Sequence, residues 1–247
     1  MIKDKTVRFW EIDTLRGIAV IMMIIYHILF NLNFFNVYNI NLQTLPFQIF
    51  LYPIGTTFLL LVGLSLTLSY SRIQNELTKR QQIKKYISRG LMIFGFGLII
   101  TIITWLLIPE CFIIFGVLHC IGISIIISYP FLKFKILNLL IGIILIIIGV
   151  ILRALSFNFS WLLWVGLKPL RFCTLDYFPL LPWFGVVLIG IYLGNMIYSN
   201  NKRNFYLKDI SNIKIIKFLV FLGQNSLLIY FIHQPIIILI LSLLIIY

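Results

Sequence analysis

Charge is what this 247-residue chain has least of: 11% of its residues are Asp, Glu, Lys or Arg, where a soluble domain carries roughly 25%. Acidic residues are the scarcer kind, 7 against 20 Lys and Arg, which leaves a net charge of +13. So few polar groups cannot clothe a water-exposed globule, and the excess apolar surface must face lipid. The basic excess does not indicate nucleic acid, because it is spread through short loops between apolar runs and forms no single patch. Cysteine is also sparse, with three in the chain. Cys120 sits inside an apolar run; Cys111 and Cys173 are expected on the same side and could pair, but spacing alone does not fix a bridge. No His, Cys, Asp or Glu spacing fits a metal site. No small-residue cleavage site follows the N-terminal apolar stretch, so that stretch is expected to stay as a first span. Internal repeats and long linkers are missing too, and the expectation is a single domain over residues 1–247.

What is present is hydrophobicity: 61% apolar residues and a mean hydropathy of +1.06. A spanning helix needs about 20 mostly apolar residues. Seven segments qualify, at roughly 14–35, 47–70, 89–108, 112–130, 135–153, 177–198 and 224–246. Of the 20 Lys and Arg, 17 then fall on one side: Lys3, Lys5, Arg8 and Arg16 at the N-terminus, the cluster from Arg72 to Arg89, Lys133 and Lys135, and the group from Lys202 to Lys217. Arg153, Lys168 and Arg171 fall on the other. The positive-inside rule places the N-terminus in the cytoplasm. The predicted fold is an all-α, multi-pass bundle of about seven transmembrane helices in a cell membrane.

Residues 154–176 do not read as a span. Their apolar stretch from Ala154 to Leu167 is interrupted by Ser156, Asn158 and Ser160, and an extra crossing would put the basic 199–217 loop outside. The segment is expected to be interfacial or re-entrant on the outer face, with Trp161 and Trp164 at headgroup level. A second amphipathic piece, about 212–222, is expected on the inner surface, and Gly223-Gln224-Asn225-Ser226 is a natural start for a fresh helix. Gly190 with Gly194, and Gly95 with Gly97, read as helix-packing positions.

Polar residues inside apolar spans are costly and informative. All three histidines, His27, His119 and His233, fall within predicted spans. Each either bonds between helices or takes part in chemistry. His27 shares its helix with Asp13 and Arg16. From Arg16 to His27 is 11 positions, about three turns plus ~20°, so the two point the same way with His27 ~16 Å higher. A cation below and an imidazole above could hold an anionic head and act on its far end. The plainer alternative is an Arg16–Asp13 anchor at i, i+3 with an unrelated histidine.

The stretch Ile12-Asp13-Thr14-Leu15-Arg16-Gly17-Ile18-Ala19, followed by Tyr26-His27, resembles the first span of the transmembrane acyltransferase superfamily. Further similar stretches are Phe115-Gly116-Val117-Leu118-His119-Cys120-Ile121-Gly122, Asp176-Tyr177-Phe178-Pro179-Leu180-Leu181-Pro182-Trp183-Phe184-Gly185, Leu222-Gly223-Gln224-Asn225-Ser226 and His233-Gln234-Pro235. Together they are similar to compact prokaryotic members of the heparan-alpha-glucosaminide N-acetyltransferase catalytic-domain family. The resemblance implies acyl transfer from cytoplasmic acetyl-CoA, or another acyl-CoA, to an acceptor across the membrane, with His27 at the position of a catalytic histidine. Animal lysosomal members carry asparagine there and a histidine in the first lumenal loop. This chain has none in its loop of residues 36–46 and follows the bacterial glycan-acyltransferase pattern.

Under that reading, Arg8, Arg16, Arg72, Lys84 and Arg89 are candidates to receive CoA phosphates. His27 is the candidate general base or acyl carrier. Asp176 could bind the acceptor or support an imidazolium; alternatively it faces a helix macrodipole. Asn225 is either a cap or a cofactor contact. Asp13, His119 and His233 are further intramembrane candidates. The expected partners are acyl-CoA, an outward-facing amino sugar, glycan or lipid-linked acceptor, and membrane lipid, with a homodimer open. A transporter or flippase of small anions or lipid-linked sugars is the rival, opposed by the lack of any Asp or Glu deep in a span and of repeat halves. A non-catalytic partner subunit or lipid-binding scaffold is the second rival.

Overall fold

A computed structural model describes residues 8–38, 44–199 and 202–246. Lys3, Lys5 and residues 39–43 of the outer loop lie outside the described residues. The chain is helical: α1 (Trp10–Phe34), α2 (Leu45–Ile73), α3 (Lys79–Leu107), α4 (Val117–Ser128), α5 (Ile136–Arg153), α6 (Leu180–Ile197), α7 (Lys214–Gln224) and α8 (Ser226–Ile246). A 3-10 turn, Tyr129–Lys133, prolongs α4, and the two-residue strands Tyr198–Ser199 and Lys202–Arg203 pair antiparallel after α6.

Among the described residues six helices, α1, α2, α3, α5, α6 and α8, are long and apolar enough to cross a membrane. The predicted fourth span is built differently: a 12-residue α-helix and its 3-10 extension make a shorter apolar element, Val117–Lys133. The chain is a multi-pass membrane protein. α3 and α5 turn Leu91, Ile99, Ile102, Leu106, Ile144 and Ile147 outward, which is how a helix facing lipid must look.

One boundary differs from the sequence reading for a local reason. α3 starts ten residues before position 89, because Thr78 and Gln81 form a reciprocal capping box and the following Lys, Arg and Gln are good helix formers. Its 29 residues span about 43 Å, longer than the hydrocarbon core, so the basic residues expected in a loop ride on a protruding helical stem. Residues 154–179 contain turns and two isolated bridges, with no helix among them. This segment is irregular, with Trp161 70% and Trp164 43% exposed as an interfacial segment requires. The bridge that spacing could not fix is present: Cys111 and Cys173 form a disulfide, and Cys120 is free and buried. The linked pair lies on the side assigned as outer, where disulfides persist.

The chain divides into two compact units, one of residues up to Phe58 with Leu207 onward, the other Leu59–Tyr206. In the first, α7 crosses α1 through two glycines. A Cβ on Gly17 would run into the Leu219 carbonyl, and one on Gly223 into that of Asp13. The piece expected on the inner surface is therefore packed backbone to backbone against the first helix, and α8 starts afresh at Ser226 as its capping sequence indicated. In the second unit the core joins Leu66, Tyr86, Ile125, Val187, Leu188 and Ile191. Gly190 and Gly194 meet Leu60 and Thr67 of α2 as packing glycines should, and Gly97 lies under the His119 ring. Gly95 departs from that expectation, with nothing within 4 Å of where its Cβ would be.

Candidate functional site

The first unit contains the polar line of α1. At its lower end Asp13 is buried and takes two guanidinium groups, Arg8 Nε at 2.6 Å and Arg16 at 2.9 Å. Gln224 Nε2 adds a longer contact to the same carboxylate at 3.4 Å. Arg16 is thus the i, i+3 anchor partner of Asp13, with its side chain 22% exposed, while Arg8 is 58% exposed. Two cations share one carboxylate, so the cluster keeps a net positive charge toward the basic side. Asn225 ends α7, and its Nδ2 donates to the Phe221 carbonyl at 2.8 Å, the geometry of a cap.

Higher on α1, Nδ1 of His27 lies 2.8 Å from the Met23 carbonyl. A carbonyl only accepts, so Nδ1 carries the hydrogen and Nε2 presents a lone pair. The ring meets that of His233 edge to face, with centroids 4.6 Å apart. Nδ1 of His233 is 2.7 Å from the Tyr230 carbonyl, which fixes the same tautomer. One turn above, Asn31 is buried and donates to Gln234 Oε1 at 2.8 Å. These four side chains form a polar layer between α1 and α8, flanked by Tyr26 and Tyr230. Both histidines stand out in the sequence, but not their contact, nor Asn31. The signal for Asn31 was available, since it lies four residues past His27 and so on the same face.

The second unit holds the remaining candidates. His119 is buried, with Phe94 edge to face against its ring and Phe115 tilted beside it. Its Nδ1 accepts the Gly116 N–H at 3.2 Å and Nε2 lies 3.4 Å from Thr101 Oγ1. This is the opposite tautomer, and both nitrogens are engaged; His119 closes the N-terminus of α4 and offers no free lone pair. Asp176 serves the same terminus, accepting the Val117 N–H at 3.0 Å. It does face a helix dipole, but that of α4 and not of the helix it precedes. Desolvation raises its carboxyl from 3.8 to about 6, against backbone N–H groups of Val117 and Tyr177 that favour the charged form. Arg72 lies in the last turn of α2. Lys84 and Arg89 are exposed on the stem of α3, five positions and so about 140° apart; they do not share a face. No cluster of three or more metal-ligating side chains occurs among the described residues.

The geometry therefore gathers His27, His233, Asn31 and Gln234 in one layer and Arg8, Asp13 and Arg16 in one cluster, while His119 and Asp176 together hold a helix end. The family model described as heparan-alpha-glucosaminide N-acetyltransferase, catalytic, matches residues 8–235. Comparison with curated proteins and with solved structures gave no match.

Proposed function

The chain belongs to the heparan-alpha-glucosaminide N-acetyltransferase catalytic family, and from that premise we propose that it moves an acetyl group from cytoplasmic acetyl-CoA to an amino sugar or glycan-type acceptor across a cell membrane. The family match runs through both compact units, which supports treating residues 1–247 as one transmembrane acyltransferase domain.

The observation that carries the reading is the tautomer of His27. Its Nδ1–H is tied to Met23, and Nε2 is left as a base. As the acceptor amine or hydroxyl attacks the thioester carbon, Nε2 takes its proton; when the carbon–sulfur bond breaks, the proton passes to the CoA sulfur. An acetyl-imidazole route would use the same lone pair as nucleophile. The phosphates of CoA are received on the basic side, where Arg8 and Arg16 keep an excess of charge over Asp13, with Arg72, Lys84 and Arg89 as further contacts. Asp176 contributes by holding the start of α4 in place.

Isothermal titration of the purified protein tests the donor half. Acetyl-CoA is expected to bind with micromolar affinity or better, and Arg16→Ala to weaken it about tenfold or more, the loss of a charge-assisted phosphate contact of roughly 1.5–3 kcal/mol. Binding that ignores the substitution, in a variant whose melting temperature shows it folded, removes Arg16 from the donor site.

A further inference from the structure

His233 is 6% exposed, and its Nε2 is sealed from solvent without a hydrogen-bond partner. Since Nδ1 donates to Tyr230, that orphan is an acceptor lacking a donor. Leaving it so is unfavourable in the resting protein. The His27 ring packs against the His233 ring, with centroids 4.6 Å and planes 73° apart, and is itself without a hydrogen on Nε2. Each helix has spent its Nδ1–H on its own backbone, so the pair holds two lone pairs and is short of one proton. Turnover supplies one.

Building on the reading of His27 as the base, we propose that His233 is the positioning residue that shares the proton His27 receives. The proton leaves the acceptor as its nitrogen or oxygen bonds to the thioester carbon. It resides on Nε2 of His27, turning that nitrogen into a donor for the His233 lone pair. It departs to the CoA sulfur when the carbon–sulfur bond breaks. Nothing is oxidised or reduced, and both rings end as they began. Two imidazolium rings this close repel each other, so the pair holds one proton and not two. Among the described residues, the titratable groups whose rings meet this pair are the phenols of Tyr26 and Tyr230. The charged residues Arg8, just before α1, and Glu11, Asp13 and Arg16, in its first turns, lie 11 or more positions before His27, and Lys214 and Lys217 of α7 are exposed.

Two measurements test this on the full chain. The first needs no substrate: nitrogen-15 NMR of histidine-labelled protein in bilayers. On acidification the Nε2 resonances of His27 and His233 are expected to move together as one proton enters the pair. Two independent protonation steps, with no response of one ring to the other, overturn the proposal. The second is turnover. His233→Phe, which has no acceptor, is expected to lower kcat roughly 10- to 100-fold with the KM for acetyl-CoA within about twofold. His233→Gln, which keeps an acceptor oxygen, restores most of the rate. Full kcat in His233→Phe, or a Gln variant as slow as Phe, contradicts it. Absence of any acetyl transfer by the wild type, or undiminished transfer by His27→Ala, would instead defeat the functional reading, and the NMR result would still decide the pairing.

Discussion

Three histidines that look alike in sequence separate once each ring nitrogen is accounted for. His119 accepts from Gly116 and meets Thr101; His27 and His233 each donate from Nδ1 to a carbonyl of their own helix. The partner atom decides which one is a base. Composition could flag buried imidazoles but not their tautomers, because Gly116 and Thr101 are ordinary residues whose importance lies in where they fold. Asp176 makes the same point with a carboxylate. Its raised pKa, about 6, means that between about pH 4 and 6 the folded state holds a proton the unfolded chain has released. Stability therefore falls as pH rises through that window and levels off above it. Melting curves should show a wild-type advantage over Asp176→Asn that declines from pH 4 to 6 and is constant from pH 7 to 9. A difference independent of pH would contradict the assignment. Asp176→Ala, which strands the Val117 N–H, should cost about 1–2 kcal/mol at neutral pH.

Among the elements, helix type and order follow from apolar run length, while helix contacts depend on particular small residues. The packing roles of Gly190 and Gly194 were legible from their i, i+4 spacing. Gly95, read as a packing position together with Gly97, packs against nothing; the two are ~200° apart around the helix, so a neighbour over one does not cover the other. Gly17 and Gly223 are 206 positions apart, and no local pattern could couple them. The early start of α3 was hidden by its charge, since a hydropathy window ends where the lysines begin although the helix does not. Gly17→Ala and Gly223→Ala should each lower stability by roughly 1–3 kcal/mol through overlap with a backbone carbonyl that cannot step aside. Gly95→Ala should be neutral or gain up to about 1 kcal/mol of helix propensity. Detergent melting temperatures of the three variants check this, and equal behaviour of Gly95 and Gly17 would refute the packing account.

At the scale of the whole molecule, charge asymmetry and the disulfide are independent witnesses to orientation. Counting puts seventeen basic residues inside, and the Cys111–Cys173 bridge joins residues that the same count puts outside, where disulfides persist. In intact cells a membrane-impermeant maleimide should label the chain only after external reduction, since Cys120 is buried. A Lys79→Cys variant of the Cys111→Ser/Cys173→Ser chain should label only after permeabilisation. Labelling of Lys79→Cys from outside would invert the topology. On the proposed function, the donor approaches from the basic side and the acetyl group leaves on the other.

That directed transfer is the central claim, and acetyl transfer in proteoliposomes tests it most directly. With labelled acetyl-CoA supplied to the basic side and glucosamine to the other, the wild type should release CoA on one side and form acetylated amine on the other. His27→Ala should bind acetyl-CoA and transfer nothing, a loss of at least roughly 100-fold. Thioester cleavage undiminished in His27→Ala, or acetyl-CoA or sugar counterflow with no cleavage at all, would contradict the account.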